Sequence, residues 1–255
     1  YIATTEVIAL LGLIPVFVEV DPSTFCIDPA AIESAITPKT KAIVPVHLYG
    51  QAANMEAIMA LAEKHGLKVI EDNAQAIGCD YHFSSGKIQK TGTIGHIGCT
   101  SFFPSKNLGC FGDGGAMMTN DDDLAQTLRR IANHGQSKRY YHDEVGCNSR
   151  LDSLQAAVLR VKLRQLDRYI ESRQNLANAY DEAFGGLHGV NIPARAAYSN
   201  HVFHQYTLQV PPQSRDALHA FLEEKEIPSM IYYPVPAHRQ QMFTSFNLGS
   251  LNLPV

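Results

Sequence analysis

The sequence has no tryptophan, no Cys-x-x-Cys pair and no cluster of lysine and arginine residues. With a net charge of −4 and no basic run, nothing in the sequence suggests binding to nucleic acid or to a membrane surface. No apolar run reaches the ~18 residues of a membrane span, and no signal peptide is visible. The five cysteines are odd in number and lie mostly among apolar residues or glycines, which favours reduced thiols. These absences predict a cytoplasmic globular protein that acts on small molecules.

The first half of the sequence alternates strand-like and helical segments. Short β-branched runs predict strands at 15–20, 41–46 and 67–71, and amphipathic segments predict helices at 29–36 and 55–66. This alternation is typical of βαβ units and predicts an α/β fold, with a mainly parallel sheet flanked by helices. Further elements are predicted along the chain: strands at 97–103 and 115–119, and a helix at 122–135.

The second half begins with one long amphipathic helix, predicted from Asp152 to Phe184, in which Asp152 and Gln155 resemble a capping box. Beyond it the pattern predicts a small α+β unit, made of a strand at 203–210, a helix at 214–227 and a strand at 229–235.

These patterns divide the chain into two domains. We expect residues 1–185 to form a large domain that includes the long helix, and residues 186–255 a smaller C-terminal domain. The chain begins with Tyr1 inside a helix-like segment and stops without a closing element. We therefore expect both domains to be incomplete.

One lysine stands in an unusual setting, the stretch GCTSFFPSKNLGCFGDGGA at residues 98–116. Lys106 follows a run that predicts a buried strand, and glycines surround it, which indicates a close approach to the backbone. The alternative is an ordinary loop lysine beside a tight turn, because lysines are mostly exposed.

A second candidate lies in LKVIEDNAQAIG, which places Glu71 and Asp72 at the end of a predicted strand. Parallel α/β sheets bind ligands outside the carboxyl ends of their strands. Asp72 is therefore either a helix cap or surface charge, or a carboxylate that faces a cation in the cleft. Lys106 is such a cation, in a plain ion pair or across a shared cofactor. Pyridoxal phosphate requires this pairing, a lysine for its aldehyde and a carboxylate for its ring nitrogen.

Four longer motifs carry a family resemblance: VIEDNAQAIG, TSFFPSKNLGCFGDGGAMMTND, RIANHGQ and VGCNSRLDSLQAAVL. They closely resemble the DegT/DnrJ-type nucleotide-sugar aminotransferases, which are pyridoxal-phosphate enzymes of fold type I. The similarity extends over almost the whole chain, through VPVHLYGQ to YYPVPAH.

The resemblance implies a role for each matching residue. Lys106 would form the Schiff base with pyridoxal 5′-phosphate and later move the proton between substrate and cofactor. Asp72 would pair with the pyridinium nitrogen, Gln75 would bond to the phenolic oxygen, and Ala74 would pack against the ring. Ser101 would donate to the cofactor phosphate.

The resemblance also implies a homodimer with shared active sites. Asn148, and with it Arg150, would reach the phosphate in the neighbouring subunit's site. His47, His204 and Tyr233 are substrate candidates, although core packing is an equal alternative for each. The small-residue turn that normally cradles the phosphate in this family is absent from the sequence.

Other motifs give weaker signals. His201-x-x-His204 has no accompanying cysteine or acidic cluster, so we predict no metal site. In GCFGDGG the lysine precedes the glycines, and a nucleotide P-loop is therefore not predicted.

The function that the resemblance implies is transfer of an amino group, with glutamate as the donor, to a keto sugar of a nucleoside-diphosphate sugar. Two alternatives stay open. One is a sugar dehydratase of related sequence, in which a histidine replaces the lysine, and Lys106 argues against it. The other is a regulatory protein that binds the cofactor without turnover.

Overall fold

The computed structural model describes residues 1–246 and residue 253. Within these residues the α-helices are α1 (Ala3–Leu10), α2 (Pro29–Ala35), α3 (Met55–His65), α4 (Asp122–Ile131), α5 (Ser153–Leu163), α6 (Leu166–Phe184) and α7 (Pro212–Glu224). The strands are β1 (Ala42–Ile43), β2 (Lys68–Asp72), β3 (Asp80–His82), β4 (Ile88–Lys90), β5 (Ile97–Ser101), β6 (Gly115–Met118), β7 (Gln136–Lys138) and β8 (Tyr141–His142). Short 3-10 turns lie at Leu48–Gly50, Ala237–Arg239 and Gln241–Phe246.

The main sheet has four strands in the order β1-β2-β5-β6. β1 and β5 run parallel to β2 on either side of it, and β6 runs antiparallel to β5. The predicted mainly parallel sheet is therefore confirmed, with an antiparallel strand at one edge. The pairs β3–β4 and β7–β8 form separate hairpins, which the sequence patterns did not predict.

Helix α3 illustrates how the sequence packs this sheet. Asn54 caps its first turn by accepting from the Ala57 N–H, and Gly66 ends it in the left-handed conformation at φ 64°. Its buried positions follow the helical repeat and join the core cluster that also contains Val69 of β2: Met55, Ile58 and Ala62. Burial of each larger apolar side chain contributes about 1.5–3 kcal/mol.

Three predicted strands are absent from the described structure. In segment 15–20 only Val20 makes an isolated bridge, to Ile27, and in segment 203–210 only Gln209 does so, to Asn191. Segment 229–235 forms no strand. Each segment is rich in β-branched or aromatic residues, but none lies beside a partner strand, and a strand exists only as part of a ladder.

The predicted long helix is two helices, because the helix is interrupted at Arg164 and Gln165 between α5 and α6. The predicted capping box is also wrong. Asp152 makes no side-chain cap bond, and Gln155 instead accepts from the Phe111 N–H at 2.8 Å through its Oε1. The Gln155 side chain, which the local pattern assigned to the start of the helix, is used in a tertiary contact instead.

The proposed boundary at residue 185 falls directly after α6, whose C-terminal cap is Gly185. The division into domains 1–185 and 186–255 stays a prediction, and residues 247–252, 254 and 255 of the second lie outside the described residues. In the described part of the chain, no helix combines the length and apolarity of a membrane span.

Candidate active site

The site is built at one edge of the main sheet. Because β2 and β5 are parallel, with Asp72 opposite Cys99, their carboxyl ends lie at the same edge. Asp72 and Ser101 are the last residues of these two strands. Lys106 follows Ser101 in a tight turn and donates its backbone N–H to the Phe103 carbonyl at 2.9 Å.

Lys106 is half-buried, and this burial lowers the pKa of its ammonium because it removes water from the charged form. The Asp72 carboxylate opposes that shift by attraction. A lowered pKa increases the fraction of neutral amine, which is the nucleophilic form. The predicted lysine and carboxylate therefore act on each other electrostatically.

The glycines that follow Lys106 serve the packing of the loop itself. A Cβ on Gly109 would lie 2.5 Å from the Pro104 carbonyl oxygen, and one on Gly114 would lie 2.9 Å from Leu151 Cδ1. The backbone beside Gly109 cannot move aside, so glycine is required there, whereas the Leu151 methyl near Gly114 ends a flexible side chain that could shift. The close approach predicted from the sequence is therefore made by the chain's own atoms at these two glycines.

The Asp72 carboxylate is held by two donors on its two oxygens. Oδ1 accepts from the Ala74 backbone N–H at 3.0 Å, and Oδ2 accepts from the Thr4 hydroxyl at 2.6 Å. An ionised carboxylate has about four lone-pair sites, so acceptor capacity remains for a further donor from the cleft.

Gln75 is held in one orientation by a backbone donor. Its Oε1 accepts from the Tyr49 N–H at 2.7 Å, and its Nε2 donates to the Tyr233 hydroxyl at 3.4 Å. Tyr49 has a φ of 57°, a left-handed conformation that non-glycine residues adopt at a cost of order 1–3 kcal/mol. The amide nitrogen is thereby fixed as the group available to an acceptor.

Glu71 lies on the other side of β2 and is fully buried. Its carboxylate accepts from the backbone N–H groups of Gly92, Ile94 and Gly95 at 2.6–2.7 Å. His47 adds a bond from Nε2 at 2.8 Å. Burial by itself would raise the pKa of Glu71, but the bonds from His47, Gly95 and Gly92 outweigh it and hold that pKa below its ordinary value.

His47 is equally buried, and both of its ring nitrogens are engaged. Nδ1 accepts from the Ala53 N–H at 3.0 Å, so the ring proton belongs on Nε2, where it is donated to Glu71. The His47 backbone N–H donates to the Asp72 carbonyl at 3.0 Å. This geometry gives no support to the predicted substrate contact of His47.

The C-terminal part of the chain brings His204 to the site. The Val202 N–H donates to the Gly50 carbonyl at 2.8 Å, and Asn107 Nδ2 donates to the Val202 carbonyl at 3.2 Å. The buried His204 Nδ1 has no partner among the described residues. Burial lowers the pKa of His204 to about 4, with further contributions from Lys106 and Arg173, so the ring is neutral at pH 7.

Tyr233 reaches the same site through Gln75. It is half-buried, and burial raises the pKa of its phenol. Its neighbour Tyr232 accepts from the Tyr49 hydroxyl at 3.4 Å through its carbonyl. The structure therefore joins Lys106, Asp72 and Gln75 with two of the three substrate candidates, His204 and Tyr233.

The residues predicted to bind the phosphate, Ser101, Asn148 and Arg150, make fewer contacts with the rest of the site. Ser101 lies at the sheet edge, where its Oγ accepts from the Phe103 N–H at 3.2 Å. Asn148 and Arg150 are exposed and bond to each other, Arg150 Nε to Asn148 Oδ1 at 2.9 Å. Among the described residues, no hydrogen bond or ion pair joins either of them to Lys106 or Asp72.

His201 is an interior residue. Its Nδ1 accepts from the Phe203 N–H at 3.1 Å, its ring stacks on Phe203 at a centroid distance of 3.8 Å, and burial lowers its pKa to about 3. Over the described range, no group of three or more His, Cys, Asp or Glu side chains could hold a metal ion.

Thr4 and Tyr49 are neighbours of the site that the sequence patterns did not identify. Thr4 lies 68 positions from the carboxylate that it contacts, and Tyr49 acts through its backbone N–H. Neither interaction leaves a local signal. The acidic pair at 71–72 was a visible signal for Glu71, but its burial follows from the tertiary fold.

The chain belongs to the DegT/DnrJ/EryC1/StrS aminotransferase family, whose model matches residues 1–255. Among curated relatives, the pleiotropic regulatory protein of Geobacillus stearothermophilus is 52% identical over 258 residues, covering 100% of this chain and 67% of that protein. The UDP-N-acetyl-3-dehydro-alpha-D-glucosamine 3-aminotransferase of Acidithiobacillus ferrooxidans is 49% identical over 243 residues, covering 95% of this chain and 64% of that protein.

Among solved structures, ntda from Bacillus subtilis with bound cofactor PMP matches with a TM-score of 0.88 at 32% identity. The match covers 100% of this chain and 58% of that chain. The predicted family and the predicted fold class, an α/β transferase of fold type I, are thereby confirmed. The chain spans about two thirds of the length of the curated relatives it matches.

The donor set of this site fits the cofactor that the family implies. Pyridoxal 5′-phosphate needs an amine of lowered pKa, a carboxylate with free acceptor capacity and a donor for its phenolic oxygen. Lys106, Asp72 and the fixed amide nitrogen of Gln75 supply these groups at one edge of the sheet.

Proposed function

We propose that the protein is a pyridoxal-phosphate-dependent aminotransferase that moves an amino group from glutamate to a keto sugar of a nucleoside-diphosphate sugar. The observation that carries this proposal is the placement of Lys106 and Asp72 at the same carboxyl edge of the sheet, where the Asp72 carboxylate acts electrostatically on a half-buried amine. The fixed Gln75 amide beside them supports the same function.

When bound, the cofactor supplies an aldehyde for the amine and a protonated ring that accepts electron density. The chain's residues would hold it and control protons. Lys106 would attach it through Nζ, and the lowered pKa would let the released amine take up and return a proton. Asp72 would keep the ring nitrogen protonated, while Gln75 would donate to the phenolic oxygen. Ala74 would limit the ring on one face, and Ser101 would donate to the phosphate.

The sugar would lie between these residues and the C-terminal segments. His204 presents a neutral ring with an unpartnered Nδ1, and Tyr233 presents a hydroxyl. Both are suited to hydrogen bonds with an uncharged sugar. The aminotransferase name of the Acidithiobacillus relative, which includes a UDP-linked sugar, supports this substrate class. We place the reaction in the cytoplasm, in the synthesis of amino sugars for surface polysaccharides or antibiotics.

Reductive labelling tests the attachment site. After incubation with pyridoxal 5′-phosphate, sodium borohydride should fix the cofactor on Lys106, and peptide mass mapping should locate it there. Added glutamate should be converted to one equivalent of 2-oxoglutarate per site. A label on Lys41, Lys68 or another lysine would refute the assignment.

A second candidate function rests on one observation, the regulatory name of the relative that is 52% identical. A regulatory protein of this family would bind the cofactor without turnover. The glutamate experiment separates the two functions, because binding without 2-oxoglutarate would favour regulation.

We further propose a homodimer whose sites are shared, because Asn148 and Arg150 are exposed and, among the described residues, make no hydrogen bond or ion pair with Lys106 or Asp72 of their own chain. Asn148→Asp should repel the cofactor phosphate in the partner's site, whereas Lys106→Ala should disable its own site. Mixing the two inactive variants under subunit exchange should then restore about one working site per mixed dimer. Mixed dimers that stay inactive would place Asn148 elsewhere.

A further inference from the structure

Thr4 in α1 makes an unusual contact for a helical threonine. Serine and threonine hydroxyls inside helices commonly bond to a carbonyl three or four residues back. Thr5 follows that pattern and donates to the Ile2 carbonyl at 3.1 Å. Thr4 instead donates across the fold to Asp72 Oδ2 at 2.6 Å. This distance is typical of a hydroxyl bonded to an ionised carboxylate, about 2.5–2.7 Å.

The contact fixes the plane of the Asp72 carboxylate. The terminal torsion of an aspartate is broad, so one hydrogen bond leaves the group free to rotate. Here the Ala74 N–H holds Oδ1 and the Thr4 hydroxyl holds Oδ2. Two donors on separate oxygens define one orientation, and they leave lone pairs for a third donor.

We propose that Thr4 is a positioning residue: its hydroxyl orients the Asp72 carboxylate toward the ring nitrogen of the cofactor. The proposal rests on the proposed function. Thr4 itself touches neither cofactor nor substrate in this role. It acts through Asp72, and α1 thereby becomes part of the catalytic framework.

The test compares Thr4→Val, Thr4→Ser and Thr5→Val in the full-length protein. Thr4→Val keeps the branched shape and removes the donor, while Thr4→Ser keeps the donor. Thr5→Val is the matched control, because it removes a hydroxyl one position away that bonds only within the helix. The measurements are the dissociation constant of pyridoxal 5′-phosphate from absorbance titration, and kcat and KM for glutamate.

Thr4→Val should weaken cofactor binding about tenfold and lower kcat by a similar factor, the value of one hydrogen bond to a charged group. KM for glutamate should stay within about twofold, because Thr4 does not contact the donor. Thr4→Ser should restore both quantities, and Thr5→Val should match the wild type.

Three results would overturn the proposal: Thr4→Val like the wild type, Thr4→Ser as poor as Thr4→Val, or the same loss in Thr5→Val. Failure of the proposed function gives a different result. A wild type that binds the cofactor without converting glutamate would refute the enzyme activity, while the binding constants would still decide the role of Thr4. A wild type that does not bind the cofactor would overturn both.

Discussion

Glu71 and Asp72 are neighbours on β2, yet their carboxylates lie in different surroundings on the two sides of the strand. Glu71 points into the interior, where three backbone N–H groups and His47 surround it. Asp72 points to the sheet edge, where Ala74 and Thr4 provide two donors and acceptor capacity remains. A fully bonded carboxylate holds structure together, and a partly bonded one is available for chemistry. The number of donors around each acid therefore distinguishes their roles better than their charge.

The largest expected effect comes from Asp72→Asn, which tests the open side. A neutral amide no longer stabilises a protonated ring nitrogen, so kcat should fall by ~10³-fold, within the range of acid–base contributions. The free energy of unfolding of the cofactor-free protein should change little, because Asp72 is only half-buried. Steady-state kinetics and urea unfolding measure the two quantities. Full activity would remove Asp72 from the mechanism.

Glu71→Gln tests the closed side and should give the opposite pattern. Its amide NH₂ would face N–H donors that now bond to a carboxylate oxygen. Each buried donor left without an acceptor costs about 1–3 kcal/mol of stability. The loss in kcat per folded molecule should be smaller than for Asp72→Asn. Glu56→Gln is the control, because among the described residues the carboxylate of the half-buried Glu56 bonds to Ser84 alone, and its loss should matter far less. Equal losses of stability in Glu71→Gln and Glu56→Gln would contradict the structural role assigned to Glu71.

His47→Gln sharpens the comparison with a smaller effect. Glu71 keeps its three backbone donors in this variant, so the loss should be about 1–3 kcal/mol, the cost of one hydrogen-bonded partner to a buried charged group. Urea unfolding of the variant beside Glu71→Gln measures the difference. A loss as large as that of Glu71→Gln would mean that the backbone donors contribute little.

The smallest effect is the pH dependence of the Glu71→Gln penalty. The folded-state pKa of Glu71 lies below its ordinary value of 4.5, so the unfolded chain binds more protons between the two values. The stabilisation by Glu71 is therefore complete above about pH 4.5 and is lost as the pH falls through the folded-state pKa. The stability difference between wild type and variant should shrink over that range. A constant difference would show that the charge of Glu71 does not matter.

The strand pattern predicted where Asp72 lies, because strand ends are visible in the sequence. The predicted strand at 67–71 placed Asp72 at the carboxyl end of β2, and the structure puts it there. The next strand was predicted to run to residue 103, but β5 ends at Ser101. Family resemblance then assigned Lys106 and Gln75 to the same edge. The rule that parallel sheets bind ligands at the carboxyl ends of their strands thus predicted the position of Asp72.

The sequence predicted less where the partner of a segment decides its structure. Segment 15–20 has strand composition without a neighbouring strand, and Gln155 bonds to Phe111 instead of capping α5. His47 ends a strand-like run, as predicted, but its ring turns inward to Glu71. Composition and hydrophobic period indicate which secondary structures a segment can form. Its tertiary neighbours decide which of them it adopts.

The contacts that assemble the site join distant parts of the chain. Thr4 to Asp72, Asn107 to Val202 and Tyr49 to Tyr232 span 68, 95 and 183 positions. Closing such loops costs entropy before any contact forms, and non-local contacts slow folding. The site is therefore complete only when segments from distant parts of the described chain have come together. Until residues 202–233 have docked, this edge of the sheet lacks the His204 ring and the Tyr233 hydroxyl.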